Sequence, residues 1–364
     1  MVEQLNSSRD LQVLEAFELI LGRKERVGLE WLDKTLRDAG PRLQQKYSGT
    51  PAWAKLQQAA RRAVVAHRFR VETHAVAANI ASLLNATLLK NGPIAFAAPD
   101  GSRIIALEPG STEEPTVIQY PPQEYESVGQ PTWSPDGKTV AFIATKASKQ
   151  DDIFVLNEAS DHIQVTRGSS SSRQPSWAPD GNSLAFTRID GTRSNIFTID
   201  LKTSKETQLT NLEKAEHPSW SPDGRRIVFQ NRSGDGVRNI LVMNPDGSGV
   251  AYTFQGSDPS WSPGGDLIAF VLRRDDASGL CVFNLNEVPP VKTIDRDDVY
   301  NPEWSPDGTR LVYQVGTDSK ARIFQIDLDG QNKIELGKGT YPSWQPVVSD
   351  GPEDSKSEPT APSS

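Results

Sequence analysis

The sequence holds one cysteine, two methionines and four histidines in 364 residues. A single thiol excludes an intrachain disulfide framework. Cys281 lies in the apolar run Leu280-Cys281-Val282-Phe283, where a buried, inert thiol is expected. The histidines are scattered, His67 and His74 in one part of the chain, His162 and His217 in another, so no Cys/His metal site is expected. There is no H-E-x-x-H, no P-loop and no G-x-G-x-x-G. That removes the sequence basis for metalloprotease, nucleotide-hydrolysing and dinucleotide-dependent chemistry. The G-x-S-x-G of a nucleophile elbow is missing too, as is an α/β segment long enough to carry one. The motifs therefore assign no catalytic residue, no metal and no cofactor.

Long apolar runs are also lacking; none approaches the ~18 residues of a membrane-spanning helix. The first ten residues show no basic stretch leading into an apolar one, so no signal peptide is expected. With so little cysteine, the expected setting is cytoplasmic, the periplasm being the alternative. Acidic residues are absent between Asp38 and Glu72, a gap that contains Arg42, Lys46, Lys55, Arg61, Arg62, Arg68 and Arg70. Residues 1–90 carry 14 Lys/Arg against 9 Asp/Glu, whereas residues 91–364 carry 25 against 38. A net of +5 thus precedes a net of −13, and the two parts are expected to be different objects.

Residues 8–90 carry apolar residues at helical spacing, with Gly22, Gly40-Pro41 and Asn91-Gly92-Pro93 as stops. An α-helical domain over 1–92 is expected. Arg61, Arg62, Arg68 and Arg70 are its candidate contacts for a polyanion, either nucleic acid or an anionic membrane. A solvated helix face is the favoured reading, because aromatic residues are few there and no nucleic-acid motif is present.

What the rest of the chain has in abundance is one pentapeptide. Trp133-Ser134-Pro135-Asp136-Gly137 returns at Trp177, Trp220, Trp261 and Trp304 with small changes, and a shortened copy sits at Trp344. The spacings are 44, 43, 41, 43 and 40, and a period near 40 marks a repeat architecture. Each copy reads as a tight turn: proline presets φ, Asp bonds local backbone, and glycine takes the left-handed position. The repeated Asp is therefore a turn residue rather than a ligand, and the repeated Trp is packing between repeats. A strand ending on Phe142, Phe186, Phe229, Phe270 or Tyr313 follows each full copy, then a strand such as Ile153–Leu156, then a weaker fourth. Four short antiparallel strands make one propeller blade. Residues 94–120 supply strands two to four without a Trp strand, and Tyr341–Trp344 supplies a Trp strand with nothing after it. The expected fold is an all-β, six-bladed propeller over 93–346, closed by the C-terminal strand. An acidic Pro/Ser tail over 347–364 is expected to be disordered.

The pattern Pro-x-Trp-Ser-Pro-Asp-Gly, followed by Ile-Ala-Phe-like and Ile-Phe-x-Ile-Asp-like strands, resembles the TolB-like, WD-repeat-like propeller family over residues 94–346. The resemblance implies a bacterial protein that binds other proteins at a mouth of the propeller channel. Similar repeats accompany hydrolases and lyases, so the fold does not dictate the activity. The residue three before each Trp is where the repeats disagree: Gln130, Gln174, His217, Asp258, Asn301 and Tyr341. It is expected on the loop entering the innermost strand, and the six form a candidate partner-binding rim. The expected function is a monomeric, non-enzymatic interaction scaffold that takes a protein or peptide at that rim, with the helical domain docking on it or recruiting a second partner. The alternatives are a propeller-type lyase or glycan-active enzyme, for which His217 and Asp258 are the candidate pair, and a periplasmic Tol–Pal-type envelope protein.

Overall fold

The computed structural model describes residues 88–349, apart from 112–113, 157–160, 235, 266, 274–278 and 286–290. The helical reading of residues up to 87, with Arg61, Arg62, Arg68 and Arg70, lies outside the described residues, as does the tail from 350. Residues Lys90–Val347 form one compact unit.

That unit is a six-bladed propeller of four-stranded antiparallel sheets. The full repeats supply five blades in chain order. Their innermost strands are Ser127–Trp133, Ser171–Trp177, Ala215–Trp220, Ser257–Trp261 and Val299–Trp304. The sixth sheet has the order Thr340–Ser349, Leu88–Ala97, Ile104–Leu107, Thr116–Gln119. The last strand of the propeller therefore completes the blade begun by its first, as the repeat count predicts. Two expectations need correction. Leu88 to Gly92 belong to a strand, not to a helix end, and Val347–Ser349 extend the closing strand rather than opening the tail. Pairing with a distant partner strand overrides local propensity at both ends.

The pentapeptide behaves as its composition requires. Gly137 N–H donates to Ser134 O at 2.9 Å, and the same i→i+3 bond closes the turns at Gly181, Gly224, Gly265 and Gly308. Ser134 Oγ donates to Asp136 Oδ1 at 2.6 Å, and Lys138 N–H donates to the same oxygen at 3.1 Å. Burial opposes ionisation of Asp136, but these bonds prevail and hold its carboxyl below the usual carboxylate range.

The core is not one mass but six clusters, one at each seam between successive blades. Six aromatic rings anchor it: Phe96, Phe142, Phe186, Phe229, Phe270 and Tyr313 are the largest fully buried side chains. Phe142, Phe186, Phe229, Phe270 and Tyr313 lie in the middle of the second strand of their blades, not at its end as expected, whereas Phe96 is next to last in Leu88–Ala97. Each is worth roughly 2–3 kcal/mol of apolar burial. The repeated Trp residues pack across the seams: Trp177 joins Ala141 and Ile153 of the preceding blade, and Trp304 joins Ala269 and Leu280. Indole N–H groups tie some seams further, Trp177 to Thr132 O at 3.1 Å and Trp304 to Ser260 O at 3.0 Å. Cys281 is buried in the Trp261 seam, and burial pushes its thiol up, as expected of an inert cysteine.

Closure has its own contacts. Gln345 Nε2 donates to Gly137 O at 2.7 Å, and a Cβ on Gly137 would lie 1.9 Å from Pro346 O. Gly181 is the same turn position at the same φ of 71°, yet a Cβ there meets nothing within 4 Å. Gly181→Ala should therefore cost only the left-handed strain, about 1–2 kcal/mol. Gly137→Ala should cost at least about 2 kcal/mol more, because the closing strand must move. Urea unfolding of the two variants checks this, and equal costs would refute the closing role of that contact.

Candidate functional site

The six innermost strands share one irregularity. Three residues before each Trp the backbone turns left-handed: φ is 49° at Gln130, 56° at Gln174, 53° at His217, 51° at Asp258, 48° at Asn301 and 53° at Tyr341. In the five full repeats the ladder slips at the same place, as between Gly129 and Thr132 or between Ser257 and Ser260. These are bulges, which bend a strand and re-aim a side chain. A non-glycine residue in this region costs about 1–2 kcal/mol. The proline that follows each one has no N–H to leave orphaned. All six rim residues line a single central cavity of about 130 Å³. The sequence reading placed them on loops entering the strands; they lie within the strands, at the bulges.

The bulge frees the N–H of the rim residue, and a side-chain amide takes it. Gln130 Oε1 accepts from Gln174 N–H at 2.6 Å, and Gln174 Oε1 accepts from His217 N–H at 3.1 Å. Gln230 Oε1 accepts from Asp258 N–H at 3.0 Å, and Gln314 Oε1 accepts from Tyr341 N–H at 3.2 Å. Gln314 Oε1 also takes a bond from Asn301 Nδ2 at 3.3 Å. Thr187 donates to Gln174 Oε1 at 2.7 Å. Sequence reasoning missed Thr187, Gln230 and Gln314. Their signal is position: each is a polar residue immediately after the buried aromatic of its strand, and each is buried.

The rim side chains form a chain of contacts. Tyr341 bonds the Gln130 side chain, and burial raises its hydroxyl pKa. Gln174 Nε2 and His217 Nε2 are 2.5 Å apart, and His217 Nε2 lies 3.5 Å from Asp258 Oδ1. While Gln174 donates to His217 Nε2, that atom carries no proton for Asp258. The pair offered as an acid–base couple is therefore not joined as one in this arrangement.

One functional group was missed altogether. Thr132, Ser176, Ser219, Ser260 and Ser343 stand immediately before their Trp residues and line the cavity; the sixth position is Glu303. Its Oε2 accepts from Ser260 Oγ at 3.1 Å. It is partly buried at the lumen, and among the described residues no basic side chain pairs with it. Burial pushes its carboxyl up to about 7. The sequence signal was the break in a Ser/Thr series, which a search for paired or clustered acids does not register.

A testable consequence follows from the sign of that shift. The folded chain holds the Glu303 proton more tightly than the unfolded chain, whose carboxyl sits at the usual 4.5. Its favourable contribution is present below about pH 4.5 and lost as pH rises through about 7. Glu303→Gln keeps an acceptor for Ser260 and cannot ionise. It should match wild type near pH 4.5 and exceed it by about 3 kcal/mol at pH 8. Denaturant melts across this pH range check it; a pH-independent difference would refute it.

Comparison with known proteins agrees with this geometry. TolB from Acinetobacter baumannii superposes with a TM-score of 0.62 at 22% identity, over 75% of this chain and 72% of that one. A chain of the nidogen/laminin complex gives 0.56 at 13%, over 70% and 98%. Hydrazine synthase from Kuenenia stuttgartiensis gives 0.56 at 16%, over 71% and 46%. At these identities the likeness is one of fold. No curated protein matches the chain. The family model of the TolB beta propeller domain matches residues 118–348. That span holds the five full repeats and the closing strand, and the chain belongs to the TolB beta propeller domain family.

Proposed function

We propose that this chain is a non-enzymatic interaction protein whose propeller receives a protein or peptide segment at the mouth of its central channel. One observation carries the reading. Six blades of nearly invariant construction each present a hydrogen-bonding side chain, of five kinds among the six, from a left-handed backbone position to one shared cavity. Strain held on a rigid frame is characteristic of recognition sites, and variation confined to the rim suits a particular partner. The resemblance to TolB, which works by binding other proteins, points the same way. In this reading the residues before the first strand, Leu88–Ala97, recruit a second partner, and the chain acts as a monomer in the cytoplasm; fractionation decides between that setting and the periplasm.

Partner capture tests the reading. A His217→Ala/Asp258→Ala/Tyr341→Ala variant that retains a cooperative melt should lose the proteins that wild type retains. An unchanged set of captured proteins would sink the rim as the binding surface.

A further inference from the structure

Glu303 is not a requirement of the fold. At the equivalent place in other blades a hydroxyl clasps the next seam: Ser343 Oγ accepts from Trp133 N–H at 3.3 Å, Ser176 Oγ from Trp220 N–H at 3.4 Å and Ser219 Oγ from Trp261 N–H at 3.0 Å. Glu303 replaces such a hydroxyl and engages the Ser260 hydroxyl for itself. A serine at 303 would restore the repeat. The chain instead keeps a half-buried carboxyl whose hydrogen-bond partner among the described residues is the Ser260 hydroxyl. A group that breaks a local rule at a cost to stability marks a role outside folding.

The surroundings specify what would satisfy it. The ionisable side chains lining the cavity are Asp258, Glu303, His217 and Tyr341; lysine and arginine are absent from the lining. The remaining polar groups are hydroxyls and amides, and the wall between the two layers is built of six prolines, from Pro131 to Pro342. Acceptors at depth, an acid in the rim and an apolar sleeve between them match a cationic head on an aliphatic stem. A divalent metal is a poorer match, since Ca²⁺ takes about 6–8 oxygens and the described residues form no group of three or more metal-ligating side chains. The volume of about 130 Å³ is well below the roughly 300–1,000 Å³ of drug-sized sites, and suits one side chain. The net charge of −13 on residues 91–364 draws cations toward the opening.

We propose that the channel is a socket for a single lysine or arginine side chain of a protein partner, entering past the Gln130–Tyr341 rim and seating its cationic head against the Glu303 carboxylate, with Asp258 beside its path. This rests on the reading that the channel mouth receives a protein or peptide, and it names the group recognised.

Calorimetry on the full chain tests it at pH 8 and fixed ionic strength. The probes are butylammonium, methylguanidinium, neutral butanol, calcium chloride and an acetylated, amidated Gly-Lys-Gly peptide. Wild type should bind at least one organic cation saturably, at least tenfold more tightly than butanol, and the peptide should displace it. Glu303→Gln and Glu303→Ser, the second of which restores the residue type of the other blades, should each weaken cation binding tenfold or more while melting cooperatively. Three results overturn the proposal: no saturable cation binding, equal binding by wild type and both variants, or calcium bound more tightly than either organic cation. A peptide that fails to displace the amine overturns the side-chain source and leaves the socket to a free amine. Failure of partner capture by wild type, with amine binding intact, would instead remove the interaction reading and spare the socket.

Discussion

The propeller depends on burial that no blade achieves alone. Each sheet is four short strands, too thin to cover its own apolar faces, and each hydrophobic cluster is assembled from two neighbouring blades. Six blades therefore need six seams, and at the last of them Trp344, Ile94 and Phe96 of the closing blade pack against Val312 and Ile323 of the blade before it. Closure removes the sheet edges that an open arc would expose. It also fixes where the six innermost strands stand relative to one another, so the geometry of the channel is inherited from packing at the seams.

The channel in turn rests on a local defect repeated six times. A regular strand would alternate its side chains across the sheet, and no single position would reliably face the axis. The bulge at each pre-proline residue breaks the alternation and turns one side chain toward the lumen. The freed N–H groups are not left bare: Gln130, Gln174, Gln230 and Gln314 take four of them. The rim is thus stiff, its side chains occupied with one another as well as open to a visitor. Stiffness of this kind lowers the ordering entropy of binding and favours discrimination over adaptability. In the same lining Glu303 adds a carboxyl with no basic partner among the described residues.

Much of this was legible in the residues. The Trp period announced the repeat, the turn chemistry of Ser-Pro-Asp-Gly announced hairpins, and the unequal ends announced ring closure. The rim positions were legible because they are where otherwise matching repeats differ. What escaped were residues whose significance is a matter of company. Gln230 and Gln314 read as ordinary strand residues until the bulge supplies an N–H for them to accept. Leu88–Gly92 read as the end of a helix because the closing strand beside them lies some 250 residues further along the chain.

The sequence by itself determined the blades, their number and the six positions that face the axis. Those follow from short-range causes: proline and glycine set turns within four residues, and a strand's apolar positions are written along it. Only the tertiary structure decided what those positions amount to together. Asp258 and Glu303 are 45 residues apart and line one cavity because two blades pack side by side. Glu303 is an unremarkable acid in the chain and a partly desolvated one in the fold, since solvation is set by what surrounds a carboxyl and not by its neighbours in sequence.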